Sequence, residues 1–158
     1  MRHAKSDWGD ASLGDRDREL NKRGRKAAPL MARWLESEIG LPDLILASSA
    51  VRVQQTVQLM TTQWSQVPEI DWIDELYLAA PETIARYVQS DSRGLARVMV
   101  VGHNPGMEIM ASQLAGENLA FPTAAIAVFQ WPADNWDAIS FQQPAERRAY
   151  CVPRSLSE

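Results

Sequence analysis

The sequence predicts an α/β domain, because strand-like and helix-like segments alternate along it from Leu44 onward. Its 158 residues suggest one domain, since a chain of this length can bury roughly two-thirds of its unfolded surface. No repeat, low-complexity tract or Gly/Ser linker divides the chain. We therefore treat residues 1–158 as a single domain.

The first half of the chain carries two predicted helices and one predicted strand. A helix over residues 23–39 has apolar residues at helical spacing, namely Ala27, Leu30, Met31, Trp34 and Leu35, and Gly40 and Pro42 end it. Residues 44–47 are a continuous apolar run, which is typical of a buried strand. Ser48 and Ser49 follow, so a serine N-cap is expected to open the next helix. That helix presents Val53, Val57, Met60 and Trp64 to the sheet.

The second half repeats this alternation. After a loop at residues 74–77, Pro81 opens a shorter helix. Residues 97–102 form a second buried strand, which leads through a Gly- and Pro-rich turn into a helix that Gly116 closes. Two further strands, 125–131 and 136–141, are predicted to form a hairpin through the turn at 132–135. The polar tail 144–158 is expected to be loose.

Composition excludes several classes of protein. One cysteine, Cys151, permits no internal disulfide, which excludes a disulfide-stapled secreted scaffold and fits a reducing compartment. A net charge of −4 argues against nucleic-acid binding. No apolar run approaches the roughly 20 residues that span a bilayer, and the polar N-terminus does not resemble a signal peptide. We therefore expect a cytoplasmic domain that binds neither nucleic acid nor membrane. The sequence does not indicate an oligomeric state.

Basic side chains cluster where the predicted strands end. Arg2 and His3 open the chain, Arg52 lies in the first turn after the strand at 44–47, and His103 directly follows the strand at 97–102. In α/β sheets, ligands bind outside the carboxyl ends of the strands. Guanidinium groups match phosphate oxygens bidentately, and helix N-termini add amide donors. These residues therefore predict a compact anion site.

Four short motifs occur in a fixed order: Arg2-His3-Ala4, Leu20-Asn21-Lys22-Arg23-Gly24, Ser48-Ser49-Ala50-Val51-Arg52-Val53-Gln54-Gln55-Thr56 and Val101-Gly102-His103-Asn104-Pro105-Gly106. In this order they resemble the histidine phosphatase superfamily. The short length and Arg-His-Ala in place of Arg-His-Gly resemble the SixA-type phosphohistidine phosphatases. The resemblance extends from Met1 to about Phe141. It implies a three-layer α/β/α fold, with a mostly parallel central sheet flanked by helices, as in phosphoglycerate mutase-like proteins.

The resemblance also implies a role for each residue of the anion site. His3 would be the nucleophile that becomes transiently phosphorylated, and its imidazole must be neutral to attack phosphorus. Arg2 and Arg52 would bind the phosphate oxygens, while His103 would donate to them in the transition state. Asn104 would bind phosphate through its backbone amide or serve only the turn. No metal and no cofactor is implied.

The proton donor is the least specific part of the resemblance. Many members of the superfamily place a carboxylic acid between the second arginine and the second histidine, and Glu75 is the matching residue. We hypothesise that Glu75 is an auxiliary acid, whose pKa the neighbouring Asp74 would raise if both faced the pocket. A phosphohistidine phosphatase could work without it, because a protonated imidazole is a good leaving group.

The start of the chain departs from the family pattern, and one charged segment bears on possible partners. Family members carry a first strand before the Arg-His pair, but only Met1 precedes Arg2 here. Either the chain begins at an internal methionine of a longer reading frame, which is the expectation, or the protein lacks most of that strand. His3 would then lie on a fraying terminus. Residues 15–26 hold six Lys or Arg against three acids, which predicts either a solvated loop and helix end or a rim that attracts an acidic phosphoprotein.

Three functions follow from these patterns. The first is a phosphohydrolase that removes phosphate from phosphohistidine on a partner protein. The second is a phosphatase for small phosphorylated substrates. The third is a non-catalytic module that binds phosphate or a phosphoprotein, which the short first strand makes possible.

Overall fold

The computed structural model describes residues 1–92 and 94–156, and these contain four α-helices and five strands. Their bounds are α1 Lys22–Glu38, β1 Leu44–Ser48, α2 Val51–Thr61, β2 Glu69–Ile73, α3 Pro81–Asp91, β3 Val98–Val101, α4 Gly106–Ala115, β4 Ile126–Gln130 and β5 Glu146–Cys151. Short 3₁₀ turns lie at Asp15–Asp17, Asp74–Leu76, Trp136–Ala138 and Pro153–Ser155. Within the described ranges, no helix is long and apolar enough to cross a membrane.

The sheet explains why residues 44–47 of its central strand are all apolar. β1 lies between β2 and β3 and pairs in parallel with both, so that Leu44 is opposite both Glu69 and Val98. All five of its residues are buried. Ile45 faces one core, which α1 and α2 cover, whereas Leu46 faces a second core, which α3 and α4 cover. The structure thus confirms the predicted α/β/α layers around a parallel sheet.

The N-terminal residues continue the sheet beside β3. The His3 backbone N–H donates to Gly102 O at 3.0 Å, and the Arg2 N–H donates to Ala125 O at 3.1 Å. The Ala124 N–H in turn donates to His3 O at 2.9 Å. Because neighbours on both sides bind this segment, the expectation that His3 lies on a fraying terminus is wrong.

The predicted C-terminal hairpin is only half correct. Strand β4 forms as predicted, but its antiparallel partner is β5 and not the segment 136–141. The apolar residues of 136–141 face the second core, where Phe141 is buried and Trp136 Nε1 donates to Leu95 O at 2.8 Å. Four of the six residues of β5 are exposed and three are charged, so its sequence looks like a polar tail. The loose tail predicted for 144–158 is therefore wrong over residues 146–151, and residues 157–158 lie outside the described part of the chain.

Two smaller differences lie close to the strand ends. The N-cap of α2 is Ala50, not a serine, and its side chain makes no capping bond. Instead, Ser48 Oγ accepts from the Ala50 N–H at 3.3 Å. Strand β2 was not predicted, because only Ile73 of its five residues is fully buried and its sequence shows no apolar run.

Candidate functional site

Three residues that are far apart in the sequence meet in the interior at the carboxyl end of the sheet. His3, Arg52 and His103 expose only 6, 4 and 2% of their surface. The two imidazole rings lie 5.2 Å apart between centroids. Arg52 joins them, because its Nε–H donates to His3 Nε2 and its Nη2–H donates to His103 Nδ1, both at 3.3 Å.

The His3 ring is held in one orientation. Its Nδ1 lies 2.7 Å from Ala4 O, so this nitrogen carries the proton and donates it to the carbonyl. The Nε2 lone pair therefore faces Arg52. Burial, with a smaller effect from Arg52, lowers the pKa of His3 to about 4. The ring is neutral at pH 7, as a nitrogen nucleophile must be.

Helix α2 also fixes the position of the backbone at residues 3–4. The Ala4 N–H donates to Thr56 Oγ1 at 3.0 Å, and the Thr56 hydroxyl donates to Arg52 O at 2.7 Å. Thr56 lies one helical turn after Arg52. The last residue of the third motif therefore ties the histidine segment to the helix that carries the arginine.

His103 is also neutral and fixed in one tautomer. A guanidinium group can only donate, so Nδ1 accepts from Arg52, and Nε2–H donates to Ser48 Oγ at 2.8 Å. Burial first, and then the proximity of His3 and Arg52, lowers the pKa of His103 to about 3. The Tyr77 and His103 rings pack nearly perpendicular to each other, with 5.3 Å between the centroids.

We expect the free energy of unfolding to fall as the pH decreases from about 6.5 toward 4. The unfolded histidines titrate near pH 6.5, whereas the folded pKa values are about 4 for His3 and about 3 for His103, so the unfolded state binds more protons in this window. Each histidine then loses roughly 2 kcal/mol of stabilisation between pH 7 and pH 5. Urea denaturation of the wild type and of His103→Gln at both pH values measures this. The same loss in both proteins would contradict it.

Sequence reasoning missed Asp15, Tyr77 and Ser48 as members of this site. The Asp15 carboxylate forms an ion pair with Arg52 Nη2 at 3.0 Å and accepts from the Tyr77 hydroxyl. The hydrogen bond from Tyr77, together with Arg52, lowers the pKa of Asp15. In the sequence, Asp15 is one acid in a basic stretch and Tyr77 one aromatic in a loop. Neither carries a signal that places it beside Arg52.

Arg2 and Asn104 lie at the edge of the site and meet at one carbonyl. Arg2 Nη1–H donates to Phe121 O at 3.1 Å, and Asn104 Nδ2–H donates to the same oxygen at 2.9 Å. The buried Arg2 Nε has no hydrogen-bond partner among the residues described. The Asn104 side chain therefore holds the segment around residue 121, and its predicted phosphate contact through the backbone amide stays a prediction.

The structure does not bring Glu75 to the other predicted site residues. Its side chain is exposed, and no hydrogen bond or ion pair joins it to any residue of the described ranges. Its neighbour Asp74 instead forms an ion pair with Arg16 and accepts from the Ser49 hydroxyl. The role of Glu75 as an auxiliary acid thus stays a prediction, although the neighbour that was expected to raise its pKa is bound to Arg16 and Ser49.

The arrangement suits an anion. Two guanidinium groups and two neutral imidazoles meet where parallel strands end, and the buried setting strengthens every charge interaction. Among the residues that the structure describes, no group of three His, Cys, Asp or Glu side chains could hold a metal ion. An α/β fold with this set of groups is typical of a phosphate-transferring enzyme.

Comparison with known proteins identifies the family. The profile of the Histidine phosphatase superfamily (branch 1) matches residues 1–82. An uncharacterized chloroplastic protein of Arabidopsis thaliana is 34% identical over an alignment of 149 positions, which covers 87% of this chain and 67% of that protein. The chain belongs to the histidine phosphatase superfamily.

Solved structures match over almost the whole chain. A protein of Agrobacterium tumefaciens assigned as the phosphohistidine phosphatase SixA is 31% identical, with a TM-score of 0.81 over 97% of this chain and 95% of that chain. The protein histidine phosphatase SixA in complex with tungstate has the same fold at 22% identity, with a TM-score of 0.82 over 99% of this chain and 97% of that chain. The second likeness shows the fold, and the first, together with the family, supports phosphatase activity.

Proposed function

We propose that the protein removes phosphate from phosphohistidine on a partner protein, through a phosphorylated intermediate on His3. One observation carries the proposal most directly. The Ala4 carbonyl binds the Nδ1 proton of a neutral His3, which leaves the Nε2 lone pair beside Arg52. The assignment of the Agrobacterium tumefaciens relative as a phosphohistidine phosphatase supports the choice of substrate.

The reaction proceeds in two transfers. In the first, the His3 Nε2 lone pair forms a bond to phosphorus while the P–N bond of the substrate breaks. The substrate ring keeps that electron pair and departs as neutral imidazole, because its other nitrogen already carries a proton. In the second transfer, water attacks the phosphorus on His3. Inorganic phosphate is released, the electron pair returns to Nε2, and the surplus proton of water passes to solvent.

The basic groups stabilise the charge that develops on the phosphate oxygens. Arg52 already lies 3.3 Å from a nitrogen of each imidazole, so its fork meets oxygens that enter between them. Arg2 adds a second positive charge, which also lowers the pKa of His3. A phosphate dianion raises the pKa of His103, so that Nδ1 gains a proton and becomes a donor while Ser48 still holds Nε2–H.

The carboxylates around the site favour phosphohistidine over a phosphate ester. An alkoxide leaving group needs a proton, whereas a protonated imidazole does not. Asp15 has a lowered pKa and is ionised at pH 7. Glu108 accepts from the Phe121 N–H at 2.8 Å, and neither carboxylate contacts either imidazole. The contacts of the described residues thus supply no acid for an ester.

A comparison of substrates tests the proposal. We expect the purified chain to hydrolyse phosphoimidazole and a phosphohistidine-bearing protein much faster than p-nitrophenyl phosphate, and to become radiolabelled at an acid-labile histidine. Faster turnover of p-nitrophenyl phosphate would identify a small-molecule phosphatase. Turnover of none of the three, with phosphate binding retained, would identify a binding module. Either result would overturn the proposal.

The variant Glu75→Gln tests the auxiliary acid separately. Because the imidazole leaving group needs no proton donor, we expect phosphoimidazole hydrolysis to stay within about twofold of the wild type. A loss confined to an alkyl phosphate such as glycerol phosphate, whose alkoxide needs a proton, would show that Glu75 reaches an ester leaving group despite its exposure. Unchanged rates on both substrates would remove Glu75 from the mechanism. A large loss on phosphoimidazole would contradict the leaving-group argument.

A further inference from the structure

A large open groove lies next to Arg2, outside the pair of histidines. Its volume is about 740 Å³, and it lies between the N-terminal segment, the start of α1, and the segments around residues 121 and 153. We call it the basic groove, because five of its lining residues are cationic and one is acidic. The cationic residues are Arg2, Lys5, Arg23, Lys26 and Arg154, and the acidic residue is Glu108.

The charges of the basic groove are not neutralised within the described part of the chain. Lys5, Arg23, Lys26 and Arg154 are all exposed, and none of them forms an ion pair there. Glu108 is already an acceptor for the Phe121 N–H and for the Asn104 amide. The groove therefore presents unpaired positive charge, although the whole chain has a net charge of −4.

The start of α1 adds to this positive charge at a cost in stability. Its first turns carry Lys22, Arg23, Arg25 and Lys26, and the first turn contains no acid. Cations at a helix N-terminus oppose the helix dipole, so this placement does not stabilise the fold. An anionic ligand at this position would interact favourably with the side chains and the dipole together.

Arg2 connects the groove to the proposed reaction. It lines the groove, and its charge lowers the pKa of His3, so it acts on the site as well. Its buried Nε has no hydrogen-bond partner in the described residues. A ligand in the groove and a phosphate near His3 would therefore be adjacent.

We propose that the basic groove binds an acidic segment of the phosphoprotein substrate, next to the phosphohistidine. The inference rests on the proposed function, since it places the segment on the same chain as the phosphate that His3 attacks. Opposite charges across an interface mainly increase the association rate and the selectivity. Recognition of this kind lowers KM for acidic proteins and leaves kcat unchanged.

Two matched peptides measure the preference. Each contains one histidine phosphorylated with phosphoramidate, and the four flanking residues are glutamate in one peptide and glutamine in the other. We expect the wild type to show a KM roughly tenfold lower for the glutamate peptide at low salt, with similar kcat values. Raising the ionic strength should remove the difference, because these charges are exposed.

Charge reversal in the groove should remove the same preference. In the double variant Arg23→Glu and Lys26→Glu, we expect one KM for both peptides and an unchanged rate on phosphoimidazole, which has no flanking residues. Acids near a helix N-terminus favour the dipole, so this variant should melt no lower than the wild type. The control Arg33→Glu and Arg86→Glu makes the same charge change at exposed residues of α1 and α3 outside the groove. It should keep the preference.

The outcomes separate this inference from the proposed function. A wild type that hydrolyses phosphoimidazole but shows equal KM values for the two peptides overturns the inference alone. A preference that both double variants lose equally also overturns it, because the cause is then overall charge. A wild type that hydrolyses neither phosphoimidazole nor either peptide overturns the proposed function instead.

Discussion

Replacing His3 with alanine is expected to lower kcat for phosphoimidazole by roughly 10⁴-fold or more, because the proposed phosphorylated intermediate forms on its nitrogen. His103 is the second imidazole of the site, and its Nδ1 also accepts from Arg52 while its Nε2 donates to Ser48. The two histidines therefore have to be compared directly. The variant should also fail to form an acid-labile phosphoenzyme with radiolabelled substrate.

His103→Gln is the matched control for this prediction. Glutamine can still accept from Arg52 and donate to Ser48, so the surroundings of His3 should be retained. We expect slower turnover, but a phosphoenzyme that still forms. If the His103 variant lost the label while the His3 variant kept it, the roles of the two histidines would be reversed. A wild-type rate in His3→Ala would exclude the intermediate altogether.

Replacing Arg52 with lysine is expected to lower kcat by about 10²- to 10³-fold. Arg52 contacts His3 and His103 through two different nitrogens and pairs with Asp15 through its fork. An ammonium group retains the charge but cannot reach all three partners at once. Steady-state kinetics on phosphoimidazole measure the change, and circular dichroism shows whether the variant folds.

Arg16→Lys serves as the control for Arg52→Lys. Arg16 lies 5.2 Å from the centre of the Tyr77 ring and binds Asp74 and Ser49, but it contacts neither imidazole. We expect its kcat to stay within about threefold of the wild type. Equal losses in the two variants would mean that general positive charge, and not the fork of Arg52, sustains the reaction.

Most of the positively charged part of the site could be predicted from the chain alone. Arg52 lies in the first turn of the helix after β1, and His103 lies just after β3. A parallel sheet brings the ends of its strands to one edge. Asp15 and Ser48 could not be predicted as partners of these residues. Asp15 precedes Arg52 by 37 residues and reaches it from a short 3₁₀ turn, so only the packing of that turn against α2 creates the contact.

The segment Asp74–Tyr77 shows that local sequence patterns do not predict which single residue of a loop faces the site. Sequence order selected Glu75, yet Tyr77, two residues later, is the side chain that packs on His103. The 3₁₀ turn directs Glu75 to solvent, and the following residue, Leu76, is buried. The sequence pattern identified the right loop but could not show which of its residues turns inward.

The prediction for the C-terminal region was wrong for a different reason. Patterns of burial predict strands only where a strand is buried, and β5 is an edge strand with mostly exposed residues. Its pairing with β4 comes from backbone hydrogen bonds, which leave little trace in side-chain composition. Trp136 and Phe141 conversely looked like strand residues because they are apolar, although they fill the core beside α3 and α4.

The sequence by itself determined the class of fold, the family resemblance and the identity of the basic groups. These properties depend on periodicity and on short motifs, which are local. Only the tertiary structure decided that both histidines are neutral, which nitrogen of each carries the proton, and that unpaired cations line a groove beside Arg2. Those properties depend on burial and on neighbours that are remote in the chain, because desolvation and hydrogen bonding set a pKa and a tautomer only after the fold has formed.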